Sequence, residues 1–203
     1  MTTIDVYADI WCPFTHVGLK RLLARRFESG STTALRVWPW PLELINEAPL
    51  DAGFIAEEVD DLRSQVAGDL FRDFQQERFP TTTLPALALA EAAYSVGLAE
   101  GEAMSVLLRD ALFEDGKDIS DPAILSGLAK SIGTPPATDE HASAVTAAWT
   151  EGQERGVVGS PHFFTPGGGY FCPALDIKRV EGHLRIQPDL VAFEAFAASC
   201  FDS

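Results

Sequence analysis

Cys12 is the side chain with the most chemistry to offer in Asp9-Ile10-Trp11-Cys12-Pro13-Phe14-Thr15-His16-Val17-Gly18. It falls between the end of an apolar strand and the start of a helix. The first N–H groups of a helix have no partner inside it, and the dipole places partial positive charge there. Both effects favour thiolate over thiol, so this place predicts a lowered pKa and a nucleophile. Pro13, early in the helix, gives up no hydrogen bond. Three residues past Cys12, where a two-thiol redox protein carries its second cysteine, stands Thr15. Its hydroxyl can donate to the sulfur but cannot close a disulfide. The competing reading is a buried, inert cysteine, since free cysteine often packs as a small hydrophobe. His16, as an imidazolium, would stabilise the thiolate or act as an acid, and the plain alternative is a histidine on the exposed helix surface.

The elements that must hold these residues follow from the apolar spacing. Ile4 to Ala8 reads as a strand. A helix from about Phe14 carries Val17, Leu19, Leu22, Leu23 and Phe27 inward and stops at Gly30. Ala34 to Trp38 reads as a second strand, closed by Pro39 and Pro41. The helix is long enough to cross over between parallel strands. From Ala48 the chain turns helical. Ile55, Val59, Leu62, Val66, Leu70 and Phe74 predict one helix ended by Pro80. Further helices are expected over Pro85 to Val96 and Glu102 to Glu114, after Asp121-Pro122, and from Thr138 toward Gly152 or Gly156. Strands return at Pro161 to Thr165 and Tyr170 to Cys172, joined by the Pro166-Gly167-Gly168-Gly169 turn as a hairpin. Pro188 opens a last helix. Pro161 precedes an apolar strand, where a cis peptide is a specific turn and a trans proline the commoner form.

Composition narrows the function classes. The chain has 203 residues, 46% hydrophobic, enough for a core without metals or disulfides. A net charge of −15 argues against nucleic acid, whose phosphates would repel it. The N-terminus has no basic, apolar signal pattern and no stretch suits a membrane span, so a cytoplasmic location and no membrane partner are expected. Three cysteines, Cys12, Cys172 and Cys200, do not make a disulfide framework. No metal spacing is visible among the histidines and cysteines.

Cys-Pro-x-x opening the first helix, Ala111-Leu112-Phe113-Glu114-Asp115-Gly116-Lys117-Asp118-Ile119, and Gly156 to Phe164 with Ser160-Pro161 together resemble the DsbA-like thioredoxin-fold family. The likeness is to the group holding FrnE-type oxidoreductases, 2-hydroxychromene-2-carboxylate isomerases and kappa-class glutathione transferases, and it covers essentially the whole chain. It implies an α/β thioredoxin fold, residues 1–47 and 153–203, with an all-helical insertion, 48–152, between its β-α-β and β-β-α halves. Cys12 then takes the reactive position, a Cys in the oxidoreductases and a Ser in the isomerases and kappa transferases. Pro161 takes that of the cis-proline, and Ser160 would offer its backbone to a peptide or thiol cofactor. Pro13, Phe14, His16 and Trp40 join the expected binding set. Trp11, Phe14, Trp38 and Trp40 would form an apolar pocket, or else pack the insertion onto the core.

The sequence departs from the family at several points. Thr15 replaces the second cysteine, Thr82 a pocket asparagine, and Ser160 a valine. Asp176 and Lys178 are the nearest candidates for the pair that holds the glutathione chain in the isomerase branch. His162 would touch substrate or lie at a strand edge. Cys172, returning on the hairpin toward Cys12, is a candidate second thiol or a small buried hydrophobe, and Cys200 reads as packing. The implied activity is a thiol oxidoreductase with a single active-site cysteine, using glutathione or another low-molecular-weight thiol, on a small thiol or a protein disulfide. A glutathione-type transferase or isomerase and a non-catalytic binding module are the alternatives. Kappa-like relatives often pair, so a homodimer is among the expected states.

Overall fold

The computed structural model describes residues 3–181 and 183–201. β1 (Thr3–Ala8) is buried along most of its length, as a strand is when both sheet faces are covered. It pairs in parallel with β2 (Ala34–Pro39), in register from Thr3 opposite Ala34 to Ala8 opposite Pro39. The crossover is α1 (Pro13–Ser29), which ends at Gly30 with φ 67, a left-handed conformation that glycine adopts without strain. β3 (His162–Thr165) lies antiparallel on the other side of β1. β4 (Gly168–Phe171) completes the sheet, whose order is β2-β1-β3-β4. The fold is that of thioredoxin with a helical insertion, as the resemblance implied.

Six α-helices lie between β2 and β3: α2 (Leu42–Ile45), α3 (Ala52–Gln65), α4 (Leu84–Val96), α5 (Leu98–Phe113), α6 (Pro122–Ser131) and α7 (Asp139–Glu154). Asp51 and Asp121 cap α3 and α6 through the N–H groups of Phe54 and Ala123. α8 (Leu190–Phe201) packs on α1 over one face of the sheet, around Ile4, Val6, Leu22, Phe163, Phe196 and Cys200. Cys200 is thus a packing residue. α7 lies on the β2 side, where Trp149 joins the cluster of Tyr7, Trp38, Trp40 and Val157. Ile10, Trp11 and Val17 of the sheet-and-α1 region share the largest core with α3, α4 and α5.

Four local expectations are corrected. The apolar period running to Phe74 does not form one helix, because α3 stops at Gln65. Phe71 adopts φ 61, with its N–H held by Glu114 Oε1 at 2.9 Å and its carbonyl by Arg63 at 2.6 Å. Phe71 and Phe74 reach the core by wrapping around Phe113. α5 begins at Leu98, directly after Gly97 and earlier than expected. Phe27 is 88% exposed, past Leu22, where the buried residues of α1 end.

The fourth correction is a hairpin that the spacing did not disclose. β5 (Leu175–Val180) and β6 (His183–Pro188) pair with each other and not with the main sheet. Leu184 and Ile186 bury against α3. The side chains of Asp61 and Gln65 stand in for a neighbouring strand. Leu184 N–H donates to Asp61 Oδ2 (3.1 Å), Ile186 N–H to Gln65 Oε1 (3.0 Å), and Gln65 Nε2 to the Leu184 carbonyl (3.0 Å).

Candidate functional site

Cys12 is the N-cap residue of α1, in an extended conformation at φ −74 and ψ 110. Its carbonyl accepts the His16 N–H, so the thiol sits one bond outside the first helical turn. The thiol donates to the Ser160 carbonyl at 3.1 Å. The Ser160–Pro161 peptide is cis, and the Pro161 ring lies beside Gly18 of α1. Ser160 ties the two loops together a second time. Its hydroxyl accepts the Asp9 N–H at 3.0 Å and pairs with the Thr15 hydroxyl at 2.8 Å.

The expected lowering of the Cys12 pKa is corrected. The residue is 5% exposed, and burial pushes the thiol up. The Thr15 hydroxyl and N–H and the Ser160 hydroxyl work in the opposite direction, favouring the anion, while the Glu58 carboxylate disfavours it. Dipole and hydroxyls alone therefore do not overcome the loss of solvent. Glu58 lies on α3, and burial raises its own carboxyl to about 7 despite the nearby Arg179. A titrating carboxyl thus acts electrostatically on the sulfur at neutral pH.

The loop ahead of Cys12 is held by buried polar groups. Asp9 Oδ2 accepts the Leu42 N–H at 2.6 Å, and Oδ1 accepts the Thr83 hydroxyl at 2.8 Å. Burial raises the Asp9 carboxyl, and these hydrogen bonds oppose that. Arg109, buried on α5, donates to the Asp9 carbonyl at 3.1 Å and to Ser105 at 2.8 and 2.7 Å. Burial lowers its guanidinium to about 10, and negative charge on Asp9 and Cys12 favours the cation. Arg109 remains charged at neutral pH, a buried positive group that favours a Cys12 thiolate.

The model of the DSBA-like thioredoxin domain matches residues 3–185. The chain belongs to the DSBA-like thioredoxin domain family. Solved structures agree on the fold. The cytosolic disulfide reductase DsbM from Pseudomonas aeruginosa is similar at TM-score 0.62 and 16% identity, over 96% of each chain. Its structure with GSH gives 0.60 and 17%, again over 96% of each. A 2-hydroxychromene-2-carboxylate isomerase gives 0.56 and 16%, over 84% of this chain and 88% of the other. Among curated proteins no sequence match was found.

Within this DSBA-like domain, Pro13, Thr15, Ser160 and Pro161 gather around Cys12, and several other expected residues do not. His16 is buried and turns away to Glu114, with Nε2–H donating to Oε1 at 2.7 Å. Burial lowers its pKa, so neutral imidazole is the form present at pH 7 rather than the imidazolium expected at the thiol. Trp40 packs on Tyr7 and Gly152, because its N–H extends the sheet ladder to the Ala8 carbonyl. Trp38 donates to Asp5 Oδ1, so both of these tryptophans seat α7 on the sheet. Trp11 is buried against Phe79, and Phe14 packs beside the same core.

Thr82 caps Glu43, donating to its two oxygens at 2.8 and 2.9 Å. Asp176 and Lys178 pair with each other at 2.8 Å on an exposed strand, which leaves them no built cradle for a glutathione chain. His162 stacks on Phe164 and accepts the Val158 N–H through Nδ1. The Cys172 N–H donates to the Pro161 carbonyl at 3.1 Å. Burial raises the Cys172 thiol to about 12, and a Cys12 thiolate adds to that rise. Asp9, Glu58, Arg109 and Glu114 were not singled out from the sequence. Asp9, three residues before Cys12, and Glu114, inside the Ala111 to Ile119 stretch, carried a local signal. Among the described residues no cluster of His, Cys, Asp and Glu is arranged for a metal ion. No helix among them is long and apolar enough to cross a membrane.

Proposed function

We propose that the protein is a thiol-dependent disulfide reductase that uses Cys12 as its single nucleophile and takes its second thiol from a small molecule such as glutathione. The observation that carries this reading is the Cys12 thiol at the N-cap of α1, donating to the Ser160 carbonyl with Thr15 in the partner position. A cysteine at this position, rather than a serine, favours disulfide exchange over isomerisation.

Cys12 loses its proton and its sulfur attacks one sulfur of a disulfide. The S–S bond breaks, the Cys12 mixed disulfide forms, and the other half leaves as a thiolate that takes up a proton. Glutathione attacks the mixed disulfide and releases the second half or the Cys12 thiolate, depending on which sulfur it meets. A second glutathione completes the cycle. In sum, one disulfide and two glutathiones become two thiols and one glutathione disulfide. Arg109 favours the thiolate state, Thr15 and Ser160 donate to it, and the Ser160 carbonyl is freed as the thiol ionises.

Cys172, with a thiol near 12, is a poor attacking group, so resolution falls to the external thiol. A reducing, cytoplasmic setting suits this cycle. The likeness to DsbM, whose structure holds GSH, lends it indirect support. The test is glutathione-dependent reduction of hydroxyethyl disulfide. Cys12→Ser is expected to fall to background and Cys172→Ser to keep most of the rate. Equal loss in both would replace this reading with an internal two-thiol cycle. Turnover untouched by Cys12→Ser, or absent in the wild type across a panel of thiols and disulfides, would leave a binding module.

A further inference from the structure

A cavity lies between α4, α6 and α7, formed without any residue of the Cys12 site. Its volume is about 780 Å³, within the range of roughly 300–1,000 Å³ that small-molecule sites occupy. Leu84 and Ala88 of α4, Leu125 and Ala129 of α6, and Ala142 and Val145 of α7 form its walls. Alanines on three helices leave the space open. The 132–138 linker, with Pro135 and Pro136, holds α6 and α7 apart above α4.

Thr134 lines this cavity and is 8% exposed. Its N–H is satisfied by the Ala129 carbonyl at 2.9 Å, but its buried hydroxyl has no hydrogen-bond partner. Buried hydroxyls are normally paired, and leaving one bare costs free energy that a ligand can recover. Lys130 and Asp139 stand at the edge, exposed and of opposite sign. They leave no net charge for an ionic head.

We infer that this cavity is a thiol-independent binding site for a neutral, mostly apolar small molecule whose single hydroxyl or carbonyl pairs with the buried Thr134 hydroxyl. Calorimetric titration of the full chain with 1-octanol tests it. Saturable binding is expected in the wild type and, equally, in Cys12→Ser. Thr134→Val keeps the shape and removes the hydroxyl, so binding should weaken about fivefold, the effect of one ordinary hydrogen bond. Ala142→Phe fills the cavity from an exposed helix position and should abolish binding, and Ser126→Trp on α6 repeats that test should the first variant fold poorly. Octanoate should bind more weakly than 1-octanol. The assignment is overturned by any of four results: no saturable binding, binding indifferent to both Thr134→Val and a folded cavity-filling variant, loss in Cys12→Ser, or tighter binding of octanoate.

Discussion

Cys12 owes its state to opposing groups at one point. Burial and the Glu58 carboxylate raise the thiol, while Thr15 and Ser160 hold it down. Glu58 titrates at about 7, so its charge appears beside the sulfur as pH passes neutrality. Alkylation of Cys12, followed in a Cys172→Ser, Cys200→Ser background, is therefore expected to rise with pH in a broadened, two-step profile. Glu58→Gln should sharpen it to one step and move it to lower pH. A profile unchanged by Glu58→Gln would remove Glu58 from the site.

The same carboxyl marks stability. Its folded value lies above its ordinary 4.5, so the native state holds the proton more firmly and stability falls as pH rises from about 4.5 to about 7. Glu114 behaves in the opposite sense. Burial raises it, but hydrogen bonds from His16 and from the Phe71 and Arg72 N–H groups bring it down to about 2. Its contribution is present above pH 4.5 and lost as pH falls toward 2. Glu114→Gln should cost about 1.5–3 kcal/mol in denaturant unfolding at pH 7, the scale of hydrogen bonds to a charged group, and flatten the acid limb of the stability curve.

At the scale of elements, side chains replace backbone pairing where the chain leaves regular structure. The β5–β6 hairpin has no strand beside it in the main sheet, and Asp61 and Gln65 on α3 supply its missing donors and acceptors. Gln65→Ala should release this edge and cost about 1–2 kcal/mol, since it leaves an N–H and a carbonyl of β6 without partners. Hydrogen exchange at Leu184 and Ile186 should speed up while the amides of β1 stay protected. Uniform acceleration across the chain would mean that the hairpin opens only with global unfolding. The break after α3 follows the same logic, with Glu114 and Arg63 paying the hydrogen bonds of Phe71 that a longer helix would have made internally.

For the molecule as a whole, the insertion and the sheet are joined by a close approach that only glycine permits. A Cβ on Gly152 of α7 would stand 2.7 Å from the Trp40 ring and 2.9 Å from that of Tyr7. Gly152→Ala should therefore displace α7 and cost about 2 kcal/mol, a drop of roughly 4–8 °C in Tm for a chain of this size. A neutral or stabilising effect would show that α7 can shift freely. Arg109 joins the same two regions through the Asp9 carbonyl, in the loop that leads to Cys12. The helices of the insertion thereby set the position of a cysteine that belongs to the thioredoxin half.

The sequence by itself determined the family, the β-α-β opening, the helical block, the β3–β4 hairpin and the meeting of Cys12, Thr15, Ser160 and Pro161. These are written in local terms: apolar period, cap residues, proline and glycine stops, and a motif whose members lie at strand ends that the topology brings together. Tertiary structure decided the rest. The end of α3, the β5–β6 hairpin, the turning of His16 to Glu114 and the role of Gly152 depend on partners tens of residues away. The protonation of Cys12 depends on how completely water is excluded and on Glu58 arriving from another helix. Burial and long-range charge have no local signature, because they arise only when distant segments pack.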